Sequence, residues 1–228
     1  MNKFKFKNKK FILNENSFLV GILNVTPDSF SDGGQFADTK KAVNHALQMW
    51  NDGAAIIDIG GESTRPGAMP VSDDEECARI IPVLKELKAI KPDITISIDT
   101  SKKSVARIAL ENGADIINDI SGLQNSPDMA QIVAEHNAGL VIMHTKGTPA
   151  NMMKLTNYDN LIEEVKGFLI SASQSAISTG VSRESIILDP GIGFAKNLNQ
   201  NLEIIRNADK FKETGFPLMI GPSRKSFI

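Results

Sequence analysis

The chain has one cysteine, one tryptophan, one tyrosine and three histidines among 228 residues. Each scarcity excludes something. With Cys77 alone, no internal disulfide can form, and a reducing cytoplasm is the natural setting. Cysteine and histidine nowhere cluster at zinc-ligand spacing. No run approaches the roughly 20 apolar residues that span a bilayer. Met1 to Lys10 is basic with two phenylalanines, but no apolar core or small-residue cleavage site follows, so it does not read as a signal peptide. A formal net charge of -2 argues against a general binder of phosphate backbones, which needs a basic face. There is no Walker-type Gly-Lys-Ser/Thr. No low-complexity or linker-like stretch marks a boundary, so residues 1–228 read as one domain, a length usual for a single α/β barrel.

What is present is regular. Near-continuous apolar runs recur at Phe18–Asn24, Ala55–Gly60, Ile94–Asp99, Asp115–Asp119, Leu140–His144, Ser185–Asp189 and Pro217–Gly221. Continuous rather than alternating hydrophobicity marks parallel strands covered on both faces. Amphipathic stretches lie between them: Cys77, Ile80, Ile81, Leu84 and Leu87 share one helix face, and Leu161, Val165, Phe168, Leu169 and Ala172 share another. Ser72 to Glu75 forms a capping-box pattern, Ser126-Pro127 reads as an N-cap followed by proline, and Gly53, Gly113, Gly139, Gly180 and Gly215 stand where helices end. Phe4–Leu13 alternates like a hairpin suited to plug the lower end of a barrel that begins near residue 18. Alternating β and α units predict an α/β fold with a parallel sheet. A closed TIM-type (β/α)8 barrel is preferred to an open doubly wound sheet, because polar residues recur at the strands' C-terminal ends: Asn24, Glu62 to Arg65, Asp99, Asn118, His144, Asp189 and Lys225. A barrel gathers those ends into one ring. Seven units are countable, so the eighth is expected to be missing from this chain.

Four loops carry most of the chemistry. The segment 24–34 is long, polar and rich in turn formers; Asn24 offers a hard amide oxygen suited to Mg²⁺, or else a turn hydrogen bond. In 58–67, paired glycines permit close backbone approach and Arg65 offers a forked donor for an anion. The Gly-x-Gly of 189–194 falls short of a dinucleotide loop, since Lys196 stands where a third glycine is required. The segment 221–227 brings Arg224 and Lys225 to the rim. Asp99 and Asp189 end apolar strands. Burial is costly for a lone carboxylate, so each either pairs with a rim cation or holds a heterocycle with an N–H-rich edge, such as the 2-amino-pyrimidinone edge of a pterin. His144 is open to a catalytic or a structural role; His45, His136 and Cys77 read as helix-face residues.

Together Asn-Val-Thr-Pro-Asp-Ser-Phe-Ser-Asp-Gly-Gly (24–34), Asp-Ile-Gly-Gly-Glu-Ser-Thr-Arg-Pro-Gly (58–67), Asp-Pro-Gly-Ile-Gly-Phe (189–194) and Ser-Arg-Lys-Ser-Phe (223–227) resemble the signatures of the dihydropteroate synthase family. Ser-Ile-Asp-Thr (97–100), Ile-Asn-Asp-Ile (117–120) and Met-His (143–144) fall in the same order. The resemblance implies a TIM barrel that joins 6-hydroxymethyl-7,8-dihydropterin pyrophosphate to p-aminobenzoate with Mg²⁺, and a cytoplasmic, homodimeric sulfonamide target. It implies pterin contacts from Asp99, Asn118, Met143, Asp189 and Lys225, and Mg²⁺ and pyrophosphate at Asn24. It implies that Asp32 and Arg65 order the first two loops, and that Thr64, Pro66, Phe194, Ser223 and Lys225 frame p-aminobenzoate. The family's eighth βα unit carries an Arg-x-His anion pair and a helix often used for dimerisation, and these are expected to lie outside the 228 residues. Poor activity and aggregation of the chain alone are therefore expected, as for a non-catalytic pterin-binding fragment. Pro222 stands where the family usually has threonine. A methyltetrahydrofolate–corrinoid methyltransferase would share the pterin carboxylates but should lack the Thr-Pro-Asp-Ser-Phe and Ser-Arg-Lys-Ser-Phe loops.

Overall fold

A computed structural model describes residues 3–13, 17–26, 34–65, 67–223 and 225, with the backbone alone at 34–37. A small antiparallel hairpin, β1 (Lys3–Phe6) and β2 (Lys9–Ile12), precedes the main sheet. Six parallel strands follow: β3 (Leu19–Asn24), β4 (Ala54–Gly60), β5 (Ile96–Asp99), β6 (Ile116–Asp119), β7 (Gly139–Met143) and β8 (Ile186–Asp189). Their spatial order is their sequence order. An open doubly wound sheet would reverse direction at a switch point; this one does not, and it winds as a TIM-type barrel wall. Helices α1 (Gly34–Asn51), α2 (Asp73–Ile90), α3 (Lys103–Glu111), α4 (Met129–Glu135), α5 (Leu161–Ser178), α6 (Leu198–Arg206) and α7 (Ala208–Lys212) alternate with the strands, α7 adding to α6 after β8.

The expected seventh strand, Pro217–Gly221, is corrected to a single parallel bridge between Leu188 and Leu218. Leu188 donates its N–H to the Pro217 carbonyl at 2.9 Å, and Met219 donates to the Leu188 carbonyl at 2.9 Å. The physical reason is local: Pro217 has no N–H to extend the ladder, and pairing stops after one register step. The Ile94–Asp99 run likewise forms strand only from Ile96. Ser126 does not cap a helix. Its hydroxyl donates to the Ser101 carbonyl at 2.9 Å, and α4 begins later, with Asp128 at the N-cap position. Ser72 does cap α2, accepting from Glu75 N–H at 3.2 Å, and four acidic residues in the first turn favour the positive end of that helix.

Side chains of the barrel strands alternate between two compartments. The outward set, including Leu23, Ile57, Ile59, Ile96, Ile98, Ile117, Leu140, Ile142, Ile186 and Leu188, packs against the helices in the largest core. The inward set is stratified. At the lower end Ile56, Ile116, Val141 and Ile187 meet Phe4 and Phe6 of the hairpin. Phe4 is only 1% exposed, and its ring comes so close to Gly139 that a Cβ there would lie 2.6 Å from Cζ. That close approach, not a left-handed helix end, is why glycine stands at 139; Asn137 takes the positive φ instead, at 50°. Asp115 fastens the same end, its Oδ2 accepting from Lys88 at 2.7 Å, from Lys9 of the hairpin at 3.1 Å and from the Ile96 N–H at 3.0 Å. Above the apolar plug β4, β5, β6 and β8 turn polar or small residues inward: Asp58, Ser97 and Asn118, then Gly60, Asp99 and Asp189, while β3 and β7 contribute the apolar Ile22 and Met143.

Because the plug is the floor of the barrel, Phe4→Ala should cost about 3–5 kcal/mol of unfolding free energy by leaving a cavity. Urea denaturation measures this; a cost under about 1 kcal/mol would mean that the hairpin is not part of the cooperative core.

Candidate functional site

The parity that sends Ile56 and Ile116 inward below sends Asp58 and Asn118 inward above, and β5, β7 and β8 contribute Ser97 and Asp99, Met143, and Asp189 to the same face. Lys225, from the segment after the Leu218 bridge, lies half-buried among them, with Asp189 and Asp99 both close enough to raise its pKa against the lowering by burial. Its ammonium stands 4.2 Å from the centroid of the Phe194 ring. Met143 packs with Phe194, Met152 and Ala195 in a small apolar cluster beside the carboxylates.

The electrostatics of this mouth are unbalanced. Burial pushes Asp189 up to about 6, although the Gly191 N–H donates to its Oδ1 at 2.7 Å and Lys196 and Lys225 oppose the shift. Asp99 is raised well above the usual carboxylate range by burial first, then by the charges of Asp58, Glu76 and Asp119. Asp58 is raised by burial, against hydrogen bonds from Ser97 and Asn118. The Oδ1 atoms of Asp58 and Asp99 are buried without a hydrogen-bond partner. Orphaned buried acceptors are costly unless something donates to them, and an N–H-rich ring edge would.

One buried cation was not foreseen. Lys196 is 1% exposed, and its Nζ meets three acceptors: His144 Nδ1 at 3.0 Å, the Gly191 carbonyl at 3.1 Å and the Phe194 carbonyl at 2.9 Å. Three acceptors match the three donors of an ammonium, while burial pulls its pKa down to about 7. His144 is buried, its pKa lowered to about 3 by burial and the nearby lysines, so it stands as a neutral ring with Nδ1 accepting. Its ring stands perpendicular to that of Phe168, with the centroids 5.0 Å apart. The structural option for His144 is therefore the one the packing supports. Gly191 is obligatory here: at φ +71°, a Cβ would lie 1.9 Å from the His144 carbonyl oxygen. The loop that carries Phe194 is thus strapped beneath the pocket by Lys196.

The remaining expected residues are placed as follows. Asn24 ends β3 exposed, and its Oδ1 and Asp99 Oδ2 each lie 3.6 Å from where a Cβ on Gly60 would be, so the two oxygens flank an open glycine. Thr64 is half-buried and Arg65 exposed on the loop after β4. That loop is held at its base, where Arg79 donates to the Gly61 carbonyl at 2.7 Å and Lys102 bridges Glu62 and Glu76, and further out Gly67 donates to the Pro149 carbonyl at 3.1 Å. Ser223 is exposed. Among the described residues no hydrogen bond or ion pair joins Thr64, Arg65 or Ser223 to the aspartates of the mouth. Asp32 and Pro66 lie outside the described residues, as does Arg224. Asp58 is the site residue that sequence reasoning missed; a charge inside the apolar run 54–60 was the available signal.

A parallel barrel with buried acceptors at the carboxyl ends of its strands defines a heterocycle-binding (β/α) barrel protein. The chain matches the family described as pterin binding enzyme over residues 20–228. It is 50% identical over 212 residues to a dihydropteroate synthase of Synechocystis sp., covering 93% of this chain and 73% of that one, and 47% identical over 214 residues to one of Bacillus subtilis, covering 94% and 72%. Among solved structures it superposes with TM-score 0.89 and 45% identity on a Clostridium difficile dihydropteroate synthase determined with pteroic acid, covering 95% of this chain and 80% of that one. A Yersinia pestis dihydropteroate synthase in complex with a sulfonamide gives TM-score 0.90 and 38% identity over 99% and 81%. The chain belongs to the pterin-binding enzyme family, and within it to the dihydropteroate synthases.

Replacing Lys196 with methionine should leave His144 Nδ1 and two carbonyls unpaired and lower stability by about 1–3 kcal/mol. Denaturant titration of the variant tests this; unchanged stability would show that the strap carries no net energy.

Proposed function

We propose that this protein condenses 6-hydroxymethyl-7,8-dihydropterin pyrophosphate with p-aminobenzoate to give 7,8-dihydropteroate and pyrophosphate. The observation that carries the reading is the gathering of Asp99, Asn118, Asp189 and Lys225 at the strands' C-terminal ends, where Asp99 Oδ1 is buried without a protein donor. The carboxylates accept from the ring's N–H groups, and Lys225 donates to a ring acceptor while limiting repulsion between Asp99 and Asp189. Met143 lies against the ring. Thr64, Pro66, Phe194 and Ser223 frame p-aminobenzoate, with Lys225 over the Phe194 ring and Lys196 bonded to the Phe194 carbonyl. Arg65 and Asp32 order the outer loops over the substrates, which excludes water from an electrophilic carbon.

An aromatic amine is a competent nucleophile near neutral pH, so the work lies with the electrophile. The C–O bond to pyrophosphate breaks as the amine nitrogen bonds to the methylene carbon, and the amine then loses one proton to solvent. Carboxylates fixed about the pterin favour the positive charge that develops on the ring and methylene. Mg²⁺ suits the mouth: Asn24 Oδ1 is a hard, exposed oxygen donor. Among the described residues no group of three His, Cys, Asp or Glu could hold a metal, so Asn24 and the substrate's own oxygens would hold the ion, which supplies positive charge against the leaving group. The reading includes a homodimer and a cytoplasmic setting; no helix among the described residues is long and apolar enough to cross a membrane.

Turnover with the pterin pyrophosphate, p-aminobenzoate and Mg²⁺ tests the reaction, and formation of no dihydropteroate would refute it. Asp189→Ala should weaken pterin binding by about 1–3 kcal/mol, on the order of 10- to 100-fold. The pH dependence follows from the raised pKa of Asp189. Its ionised form, the better acceptor, is lost as pH falls through about 6, so pterin affinity should be full above that pH and decline below it. Asp189→Asn should flatten the decline; an unchanged profile in that variant would place the titration elsewhere.

A further inference from the structure

Asp58 sits one layer below the pocket, on β4, and reaches past β5 to β6. Asn118 Nδ2 donates to its Oδ2 at 2.9 Å, and Ser97, its register neighbour on β5, lies close enough to lower its pKa against burial. A carboxylate oxygen only accepts. The amide end of Asn118 is therefore committed downward, and its carbonyl end is directed away from Asp58. Asn118 is half-buried, and among the described residues no protein group donates to its Oδ1. An asparagine without such an anchor could present either its donor or its acceptor end with little change in shape.

We infer that Asp58 is a positioning residue that fixes the orientation of Asn118, so that the pocket presents a carbonyl acceptor at that position and selects rings with an N–H donor there. Three features support it. Asp58 interrupts an otherwise apolar strand, AAIIDIG, at a depth where an isoleucine or serine would pack. Its burial is near complete, with no cation bonded to it, so it is not an ion-pair anchor of the kind Asp115 makes with Lys88 and Lys9. Its second oxygen, Oδ1, is buried and unpartnered, so the group is retained at a cost that the bond from Asn118 only partly offsets. Asp99 and Asp189 face the same cavity as acceptors. With Asn118 held carbonyl-inward, Asp99, Asn118 and Asp189 all present acceptors, and Lys225 presents a donor. This deepens the pterin reading and rests on it, by naming the residue that sets the polarity of one ring contact.

The test is direct binding of 6-hydroxymethylpterin, with p-aminobenzoate binding as the internal control, in four proteins: the unaltered chain, Asp58→Asn, Asn118→Asp, and the exchanged pair carrying both. In Asn118→Asp, two carboxylates face each other without a donor between them, and pterin affinity should fall by about tenfold or more. In the exchanged pair, the amide introduced by Asp58→Asn donates upward to the carboxylate introduced by Asn118→Asp, whose other oxygen still faces the ligand. Affinity should then recover to within about threefold of the unaltered chain. Asp58→Asn alone should bind pterin more weakly than the exchanged pair while retaining p-aminobenzoate binding. Failure of the exchanged pair to recover pterin affinity while it remains folded, or an equal loss of p-aminobenzoate binding in the single variants, would overturn the inference. If the unaltered chain does not bind 6-hydroxymethylpterin at all, the pterin reading itself fails, which is a separate outcome.

Discussion

Everything at the upper end of this barrel depends on keeping carboxylates in a place where carboxylates are unfavourable. Asp58 and Asp189 are buried and Asp99 half-buried within a few residues of strand ends, Asp58 and Asp99 each carry a buried oxygen with no partner, and one partly buried lysine, Lys225, faces them. A protein selected only for stability would fill these positions with apolar side chains, as it does one layer lower with Ile56, Ile116, Val141 and Ile187. The unfavourable layer is tolerated because the surrounding structure is rigid. The Phe4–Phe6 floor, the Asp115 fastening and the helix-facing core hold the strands whatever the charge state of the mouth. The result is a cavity preorganised for a ligand that brings N–H donors, with the free-energy penalty carried by the empty protein and relieved on binding.

The second constraint is the loop after β8. In the proposed reading it presents Phe194 to one substrate and leaves Asp189 free for the other, over a turn in which Gly191 and Gly193 both have positive φ. Lys196 resolves this by reaching back under the loop to two of its carbonyls and to His144 on the neighbouring connection. Phe194 is thus held at its carbonyl by Lys196 and met over its ring by Lys225, so the aromatic wall is set by charge and hydrogen bonding as much as by packing.

Much of the architecture was legible in the sequence because parallel strands leave an unusual trace: continuous apolar runs ending in polar residues, separated by helical periodicity. The positions of β3 through β8 follow from it. Pro217–Gly221 misled because its composition is that of a strand while Pro217 withholds the N–H that a ladder needs. Asp99 and Asp189 were legible because they end their runs. Asp58 was not, because it lies inside one, where a charge reads as an irregularity of the strand and its partner is 60 residues away on β6. Lys196 read as the residue that spoils a glycine-rich loop; its role rests on backbone carbonyls and on a histidine 52 residues distant, which no local pattern records.

The central claim is that burial holds the Asp189 carboxyl of the free mouth above its ordinary pKa, and that the ligand's donors relieve that strain. Carbon-13 NMR titration of the aspartate carboxyl groups, with Asp189 assigned through Asp189→Asn, measures it in the free protein and in the complex with 6-hydroxymethylpterin. The account predicts an Asp189 midpoint near 6 in the free protein, and a fall of at least about one pH unit when the ring's N–H groups bind. An Asp189 midpoint at the ordinary carboxylate value of about 4 in the free protein, or one that does not move on binding, would contradict it.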